Sequence, residues 1–167
     1  MRAKKIAIVG ITGSGKTLLS RRIADRTGLP LFHMDALFWR DGWNVVPEAE
    51  YLIGQERLLA LDAWIIEGWV DLALADRVKA ADLVIYLDYS SVRCVGRYVR
   101  RVWQHRRTAR SELPAECLER FKWRQFWVVL TRAERRPLET VLAMATSRVI
   151  RLKSPRALER YLANSDI

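Results

Sequence analysis

Residues 10–17 read Gly-Ile-Thr-Gly-Ser-Gly-Lys-Thr and carry more structural information than any other part of the chain. They match the phosphate-binding loop pattern, which is Gly, any four residues, Gly, Lys and then Ser or Thr. The apolar run at residues 6–9 is typical of a buried parallel strand. After the loop, apolar residues recur at helical spacing until Gly28. The sequence therefore predicts a strand, a phosphate loop and a helix in succession.

The residue types in this loop suit a nucleoside triphosphate. Glycines let backbone N–H groups turn inward around a phosphate, and the N-terminus of the following helix adds positive charge. In this pattern Lys16 reaches the terminal phosphates and acts in catalysis, while the hydroxyl of Thr17 holds Mg²⁺. We therefore expect ATP and Mg²⁺ as cofactors. The expected nucleotide-binding residues of the loop are Gly10, Thr12, Gly13, Ser14, Gly15, Lys16, Thr17 and Leu18.

Size and composition agree with a small enzyme. A length of 167 residues predicts one domain, large enough to bury a core. Half of the residues are hydrophobic, yet no apolar run approaches membrane-spanning length. Cys94 and Cys117 lie far apart without metal-ligand spacing, as expected for reduced thiols. We therefore expect a cytoplasmic protein without a membrane partner, and the sequence leaves its oligomeric state open.

The net charge of +10 is concentrated in one segment. Residues 93–136 contain twelve Arg and one Lys against four Glu, a net charge of +9, and the rest of the chain is close to neutral. Such a local concentration indicates a local anionic target. The phosphates of ATP or a polynucleotide could be that target.

Strand and helix patterns alternate along the whole chain. Further strands are predicted at residues 31–33, 64–66, 83–87 and 148–152, and helical sequence runs over residues 117–145 with a break before Pro137. This alternation predicts a three-layer α/β fold, with a five-stranded parallel sheet between helices. Ligands then bind beyond the carboxyl ends of the strands, where Gly10, Asp35, Glu67 and Asp88 fall.

Three further blocks resemble a known family. They are H-M-D-A-L-F-W at residues 33–39, W-I-I-E-G at residues 64–68, and a basic helix followed by Arg107-Thr108. With the phosphate loop, they resemble the small P-loop kinases known as FlaR-related topology modulation proteins, relatives of the adenylate and shikimate kinases. The chain departs from the family pattern in two places. Glu67-Gly68-Trp69 stands where Asp-Gly-Asn is expected, and residues 107–110 spread the usual Arg-Thr-Arg.

The resemblance implies a single P-loop kinase domain over residues 1–167, with residues 93–136 as a helical, arginine-rich lid. Arg97 and Arg101, four positions apart on one helix face, resemble the paired lid arginines that close over ATP, so we expect both to be catalytic. Glu67 would bind Mg²⁺ through water. Lys153 and Pro155 resemble the segment that borders adenine, although Ser154-Pro155 is equally an ordinary helix start.

Asp35 is the expected catalytic residue on the acceptor side, where it would orient or deprotonate a hydroxyl group. A loop aspartate without such a role is the alternative. Phe38, Trp39 and Trp43 either wall an acceptor pocket or pack in the core. For His33 we expect a packed, structural role.

The acceptor is expected to be uncharged. Phe38 and Asp71 occupy the places at which adenylate-type kinases carry arginines for an acceptor phosphate. An aromatic ring and a like charge make a poor phosphate site. A nucleoside or another small metabolite with a hydroxyl group fits better.

Two functions are compatible with the sequence. The favoured one is an ATP-dependent phosphotransferase that transfers the γ-phosphoryl group of ATP to a small-molecule acceptor. The alternative is an ATP-regulated nucleic-acid-binding protein that affects DNA topology, which the basic segment suggests. No recognised DNA- or RNA-binding motif accompanies that segment, so the alternative is not favoured.

Overall fold

A computed structural model describes residues 3–165 and residue 167. Its strands are β1 (Lys5–Gly10), β2 (Leu31–His33), β3 (Trp39–Arg40), β4 (Asn44–Val45), β5 (Trp64–Glu67), β6 (Leu83–Leu87) and β7 (Arg148–Leu152). Its helices are α1 (Lys16–Thr27), α2 (Met34–Phe38), α3 (Glu48–Leu59), α4 (Leu74–Ala80), α5 (Ser91–Gln104), α6 (Trp123–Thr131), α7 (Arg135–Leu142) and α8 (Pro155–Asn164).

Five strands form a parallel sheet in the order β2-β5-β1-β6-β7, so the strand before the phosphate loop lies at the centre. Successive side chains of a strand point to opposite faces. Ile6 and Ile8 of β1 accordingly pack in one core cluster with residues of α1, α5 and α8. Ala7 and Val9 pack in a second cluster with residues of α3, α4 and α7. The predicted three-layer α/β fold with a five-stranded parallel sheet is confirmed.

The structure differs most from the prediction between residues 105 and 145. Instead of continuous helical sequence from Cys117, residues 105–122 form no helix or strand, and helix resumes only as α6 and α7. The thiol of Cys117 is buried and lies 3.3 Å from the carbonyl oxygen of Arg40. Such a tertiary contact outweighs local helix preference. Arg132 ends α6 in a left-handed conformation, with φ 57°, which places the break before Pro137 as predicted.

A small antiparallel hairpin, which the sequence analysis did not predict, follows α2. β3 and β4 pair across a tight turn that contains Trp43 at φ 64°, a rare backbone conformation for a large side chain. The indole N–H of Trp43 donates a hydrogen bond to the carbonyl of Leu118 at 2.9 Å. The hairpin is therefore held against the irregular segment 105–122.

Among the residues that the structure describes, no helix is both long and apolar enough to span a lipid bilayer.

Candidate active site

A cavity of about 1020 Å³ lies at the carboxyl ends of β1, β2 and β5. The phosphate loop, α2, α5 and residues from the irregular segment surround it. The predicted site residues that line it are Thr12, Gly13, Gly15, Lys16, Thr17, Leu18, Asp35, Glu67, Arg97 and Arg101. The fold thus brings together all four residues that we expect to be catalytic.

The backbone of the phosphate loop is shaped for an anion. Gly13 has φ 80°, and a Cβ atom there would lie 2.2 Å from the carbonyl oxygen of Cys94 in α5, so a side chain would displace helix backbone. The N–H of Ser14 closes the loop onto the carbonyl of Ile11 at 3.1 Å. Within residues 3–165, the N–H groups of Gly15, Lys16 and Thr17 donate to no backbone carbonyl. These groups at the start of α1 remain available to phosphate oxygens.

Lys16 folds back onto its own loop. Its Nζ donates hydrogen bonds to the carbonyl oxygens of Gly10 at 2.8 Å and Ile11 at 3.2 Å. Burial lowers the pKa of Lys16, while the nearby carboxylates of Glu67 and Glu134 act in the opposite direction. The ammonium group therefore lies at the phosphate loop in advance of any ligand.

Glu67 receives hydrogen bonds from two directions. Its Oε1 accepts from the hydroxyl of Thr17 at 3.2 Å and from Nδ1 of His33 at 2.8 Å. Desolvation acts to raise the pKa of the buried Glu67, but the hydrogen bond from His33 and the charge of Lys16 outweigh it and lower the pKa. Our sequence prediction missed this contact of His33. The only indication of this contact in the sequence was that His33 lies at the end of a predicted strand.

Thr17 and Glu67 fit Mg²⁺ bound together with a nucleotide. Over residues 3–165, no group of three His, Cys, Asp or Glu residues could hold a metal without other ligands. Mg²⁺ in nucleotide sites usually takes one or two protein ligands, and phosphates and water complete its shell. A hydroxyl and a carboxylate in contact at the edge of the loop are such a pair.

Helices α5 and α6 both contact the phosphate loop. Arg97 donates from its guanidinium to the carbonyl of Ser14 at 2.8 Å. Gln125 donates from Nε2 to the hydroxyl of Thr12 at 3.1 Å. The predicted residue Arg97 thus lies at the loop, and Gln125 is a contact that the sequence analysis did not find.

A buried ion-pair network connects Asp35 with Arg101. Arg110, 8% exposed, lies 3.0 Å from the carboxylate of Asp35 and 3.1 Å from that of Glu119. Glu119 in turn pairs with Arg101 at 3.0 Å, and Glu112 pairs with Arg110 at 3.2 Å. Residues 106–114 contain no helix or strand, and Arg110 anchors them over the cavity.

Aromatic rings form the wall of the cavity next to Asp35. The lining rings are Phe38, Trp39, Trp43 and Trp69. Phe38 meets Trp69 edge to face at 5.0 Å between ring centroids. The ammonium of Lys122 lies 4.7 Å from the centroid of Trp43. The structure therefore places these rings at the pocket, one of the two arrangements that the sequence left open.

Asp71 does not face the cavity, contrary to our prediction. It is almost fully buried and pairs with Arg77 at 2.7 Å. The predicted repulsion of an acceptor phosphate by Asp71 is therefore wrong, and of these two residues only Phe38 disfavours a phosphate in the cavity. Arg120 and Lys122 also line the cavity, so an anionic acceptor belongs among the compounds to be tested.

Five predicted residues lie outside the cavity lining: two belong to the phosphate loop itself, Gly10 and Ser14, and the others are Asp88, Lys153 and Pro155. Asp88, at the end of β6, is bound by Arg132 and Arg151 instead of facing a ligand. Lys153 is exposed, and Pro155 is the first residue of α8. Ser154 caps that helix by accepting a hydrogen bond from the N–H of Ala157 at 3.2 Å. The ordinary helix start is thus present, and adenine contact by Lys153 and Pro155 stays a prediction.

Comparison with known proteins gives matches among solved structures alone, since no protein-family model and no curated protein matches the chain. The chain is similar to a sugar kinase from Janibacter sp. HTCC2649, with 19% identity, a TM-score of 0.56 and coverage of 97% of this chain and 94% of that one. It is similar to deoxyadenosine kinase from M. mycoides with bound dATP, with 17% identity, a TM-score of 0.56 and coverage of 96% and 100%. It is also similar to shikimate kinase from Acinetobacter baumannii in complex with shikimate, with 17% identity, a TM-score of 0.59 and coverage of 98% and 96%. The chain therefore has the fold of the small P-loop kinases of the adenylate and shikimate kinase type.

Proposed function

We propose that this protein is an ATP-dependent phosphotransferase that transfers the γ-phosphoryl group of ATP to a hydroxyl group of a small molecule. The observation that carries the proposal is the shared cavity. Lys16 and Thr17 line it on the phosphate side, and Asp35 lines it beside an aromatic wall. The similar structures support the proposal at the level of the fold, since each is a kinase of a hydroxyl-bearing compound.

The phosphate side would bind ATP through charge and backbone donors. The free N–H groups at the start of α1 would donate hydrogen bonds to phosphate oxygens. Lys16 would exchange its carbonyl partners for the oxygens of the terminal phosphates. Thr17 would hold Mg²⁺, with Glu67 bound through water, and the ion would neutralise phosphate charge. Arg97, already at the loop, would stabilise charge on the transferring group.

Asp35 would orient the acceptor hydroxyl and receive its proton. Phosphoryl transfer passes through a loose transition state, so alignment and charge stabilisation contribute more than strong base catalysis. An aspartate paired with Arg110 suits this role because the ion pair restrains its carboxylate at the cavity. The rings around Phe38 would contact the apolar face of the acceptor and exclude water.

Residues 93–136 would act as the lid. Arg97 and Gln125 link its two helices to the phosphate loop, and Arg101 and Arg110 link it to Asp35 through the ion-pair network. These contacts give three arginines of the segment partners inside the molecule, at the phosphate loop or in the ion-pair network. They favour the phosphotransferase over the alternative of an ATP-regulated nucleic-acid-binding protein.

A screen for ADP release tests the proposal. Nucleosides, sugars and polyols are supplied with ATP and Mg²⁺, alongside matched phosphorylated or carboxylated compounds, with a no-acceptor reaction as the control. We expect ADP to form faster with one chemical class, and the product to carry a new phosphate ester. Failure of the protein to bind ATP by calorimetry would overturn the proposal.

A further inference from the structure

His33 and Glu67 end adjacent strands and meet at the carboxyl edge of the sheet. β2 and β5 pair in parallel with His33 in register with Glu67. His33 Nδ1 lies 2.8 Å from Glu67 Oε1, and the two side chains are only 16% and 5% exposed. Because an ionised carboxylate accepts hydrogen bonds and cannot donate them, the contact assigns a proton to Nδ1.

The two oxygens of Glu67 have different surroundings. Oε1 accepts hydrogen bonds from both His33 and Thr17, and these two donors restrain the carboxylate. Oε2 accepts no hydrogen bond from any residue in the described part of the chain. Since Glu67 lines the cavity, this second oxygen is the one left for a ligand.

A glutamate at this place needs an anchor more than an aspartate would. The side chain of Glu67 has one more rotatable bond than an aspartate side chain. Its carboxylate loses more conformational freedom when it is held in one position. His33 does not line the cavity, so any effect it has on a bound ligand must pass through Glu67.

We propose that His33 is the positioning residue of the magnesium site. It donates its Nδ1–H to Glu67 and so holds the second carboxylate oxygen ready for the water shell of Mg²⁺ that arrives with ATP. Outer partners of this kind orient the groups that bind a metal and govern its affinity. The inference rests on the proposed function, because it assumes that ATP and Mg²⁺ bind in this cavity.

Metal binding, rather than turnover, provides the test. Mg²⁺ is titrated by calorimetry into the full chain saturated with a non-hydrolysable ATP analogue. His33→Ala should weaken Mg²⁺ binding about 10- to 100-fold, the range for loss of an outer-shell partner. His33→Asn should restore most of the affinity, because its amide N–H can replace Nδ1–H. Binding of the analogue in EDTA should be the same in all variants.

Glu67→Ala supplies the matched background, because it removes the group to which His33 donates. If His33 acts through Glu67, adding His33→Ala to Glu67→Ala should change Mg²⁺ affinity by less than about two-fold, because coupled residues are not additive. An equal loss in both backgrounds, or wild-type Mg²⁺ affinity in His33→Ala, would overturn the inference. Should the alanine variant not fold, His33→Gln replaces it, since its amide extends past the Nδ1 position.

The two proposals fail in different ways. If the wild-type protein binds no ATP analogue, the phosphotransferase proposal fails, and the inference about His33 fails with it. If the analogue and Mg²⁺ bind but His33→Ala leaves the metal affinity unchanged, only the inference about His33 fails.

Discussion

The guanidinium of Arg110 lies 3.0 Å from the carboxylate of Asp35, although the two residues are 75 positions apart. Arg110 also pairs with Glu119, which pairs with Arg101 of α5. Asp35, the residue expected to orient the acceptor, is thus held by the segment 93–136, which also reaches the phosphate loop. If residues 93–136 close as a lid, these ion pairs would couple its position to the orientation of Asp35.

Asp35→Asn should lower the phosphoryl-transfer rate roughly 10²-fold or more, the usual scale for a positioned acid or base. ATP affinity should change little, because Asp35 lies on the acceptor side of the cavity. The fold should persist, since Arg110 keeps Glu112 and Glu119 as partners. Steady-state rates and calorimetry measure the two effects. Asp41→Asn, at an exposed turn, is the control, and an equal rate in both variants would leave Asp35 without a catalytic role.

Lys16→Ala should abolish turnover and weaken ATP binding about 10- to 100-fold, the equivalent of one or two charge-assisted hydrogen bonds. Its present partners are carbonyl oxygens of the loop, so circular dichroism should show an intact fold. Lys79→Ala, at an exposed position of α4, should match the wild type in calorimetry with ATP. Undiminished ATP affinity in Lys16→Ala would contradict the assignment of the phosphate loop.

Arg97→Ala should slow phosphoryl transfer by about 10²-fold or more, as expected for loss of one preorganised donor to the transition state. Arg93→Ala is its matched control, because Arg93 is an exposed residue of the same helix that does not line the cavity. If residues 93–136 close as a lid, ATP should also slow tryptic cleavage within residues 106–114. Equal rates for the two arginine variants would argue against the lid.

Glu134→Gln should stabilise the protein at about pH 8 but not at about pH 4. Oε2 of Glu134 is buried without a partner in the described structure, and desolvation raises its pKa although Lys16 opposes the shift. The folded state therefore favours the protonated acid, and wild-type stability falls as pH rises from the ordinary Glu value through the raised one. If burial of the charged carboxylate costs the wild type about 1 kcal/mol of stability at about pH 8, Glu134→Gln should raise the Tm by roughly 2–4 °C in a protein of this size.

The control for this prediction is Glu116→Gln, which changes an exposed glutamate of the same segment. It should leave Tm nearly constant across the same pH range. Thermal unfolding followed by circular dichroism at both pH values measures each variant. An increase in Tm for Glu134→Gln that is larger at acid pH than at about pH 8 would contradict the prediction.

Binding of duplex DNA should be weak, independent of ATP and lost at physiological salt. A merely basic surface binds polynucleotides by counterion release, which salt suppresses steeply. A protein whose nucleic-acid site is coupled to ATP must instead bind differently in its two nucleotide states. Filter binding at several salt concentrations, with and without ATP, separates the cases. Tight, ATP-dependent binding at physiological salt would favour the nucleic-acid alternative over the phosphotransferase.

The phosphate loop could be predicted from the sequence because its contacts are local. Ser14 closes onto Ile11, and Lys16 reaches Gly10 and Ile11, all within six positions. The alternation of strands and helices acts over a similarly short range, and it was enough to predict the parallel sheet and its two helical layers. Arg97 could be placed at the loop from its helix and the family resemblance.

The acceptor side depends on contacts that no local pattern encodes. Gln125 meets Thr12 across 113 positions, and Arg110 meets Asp35 through an irregular segment whose path only packing defines. Asp71 was predicted to face the acceptor, but its buried pairing with Arg77 turns it away. His33 shows both what local sequence predicts and what only the tertiary structure determines. The sequence places it at a strand end, but its contact with Glu67 arises because strands β2 and β5 become neighbours, and strand order is a property of the assembled sheet.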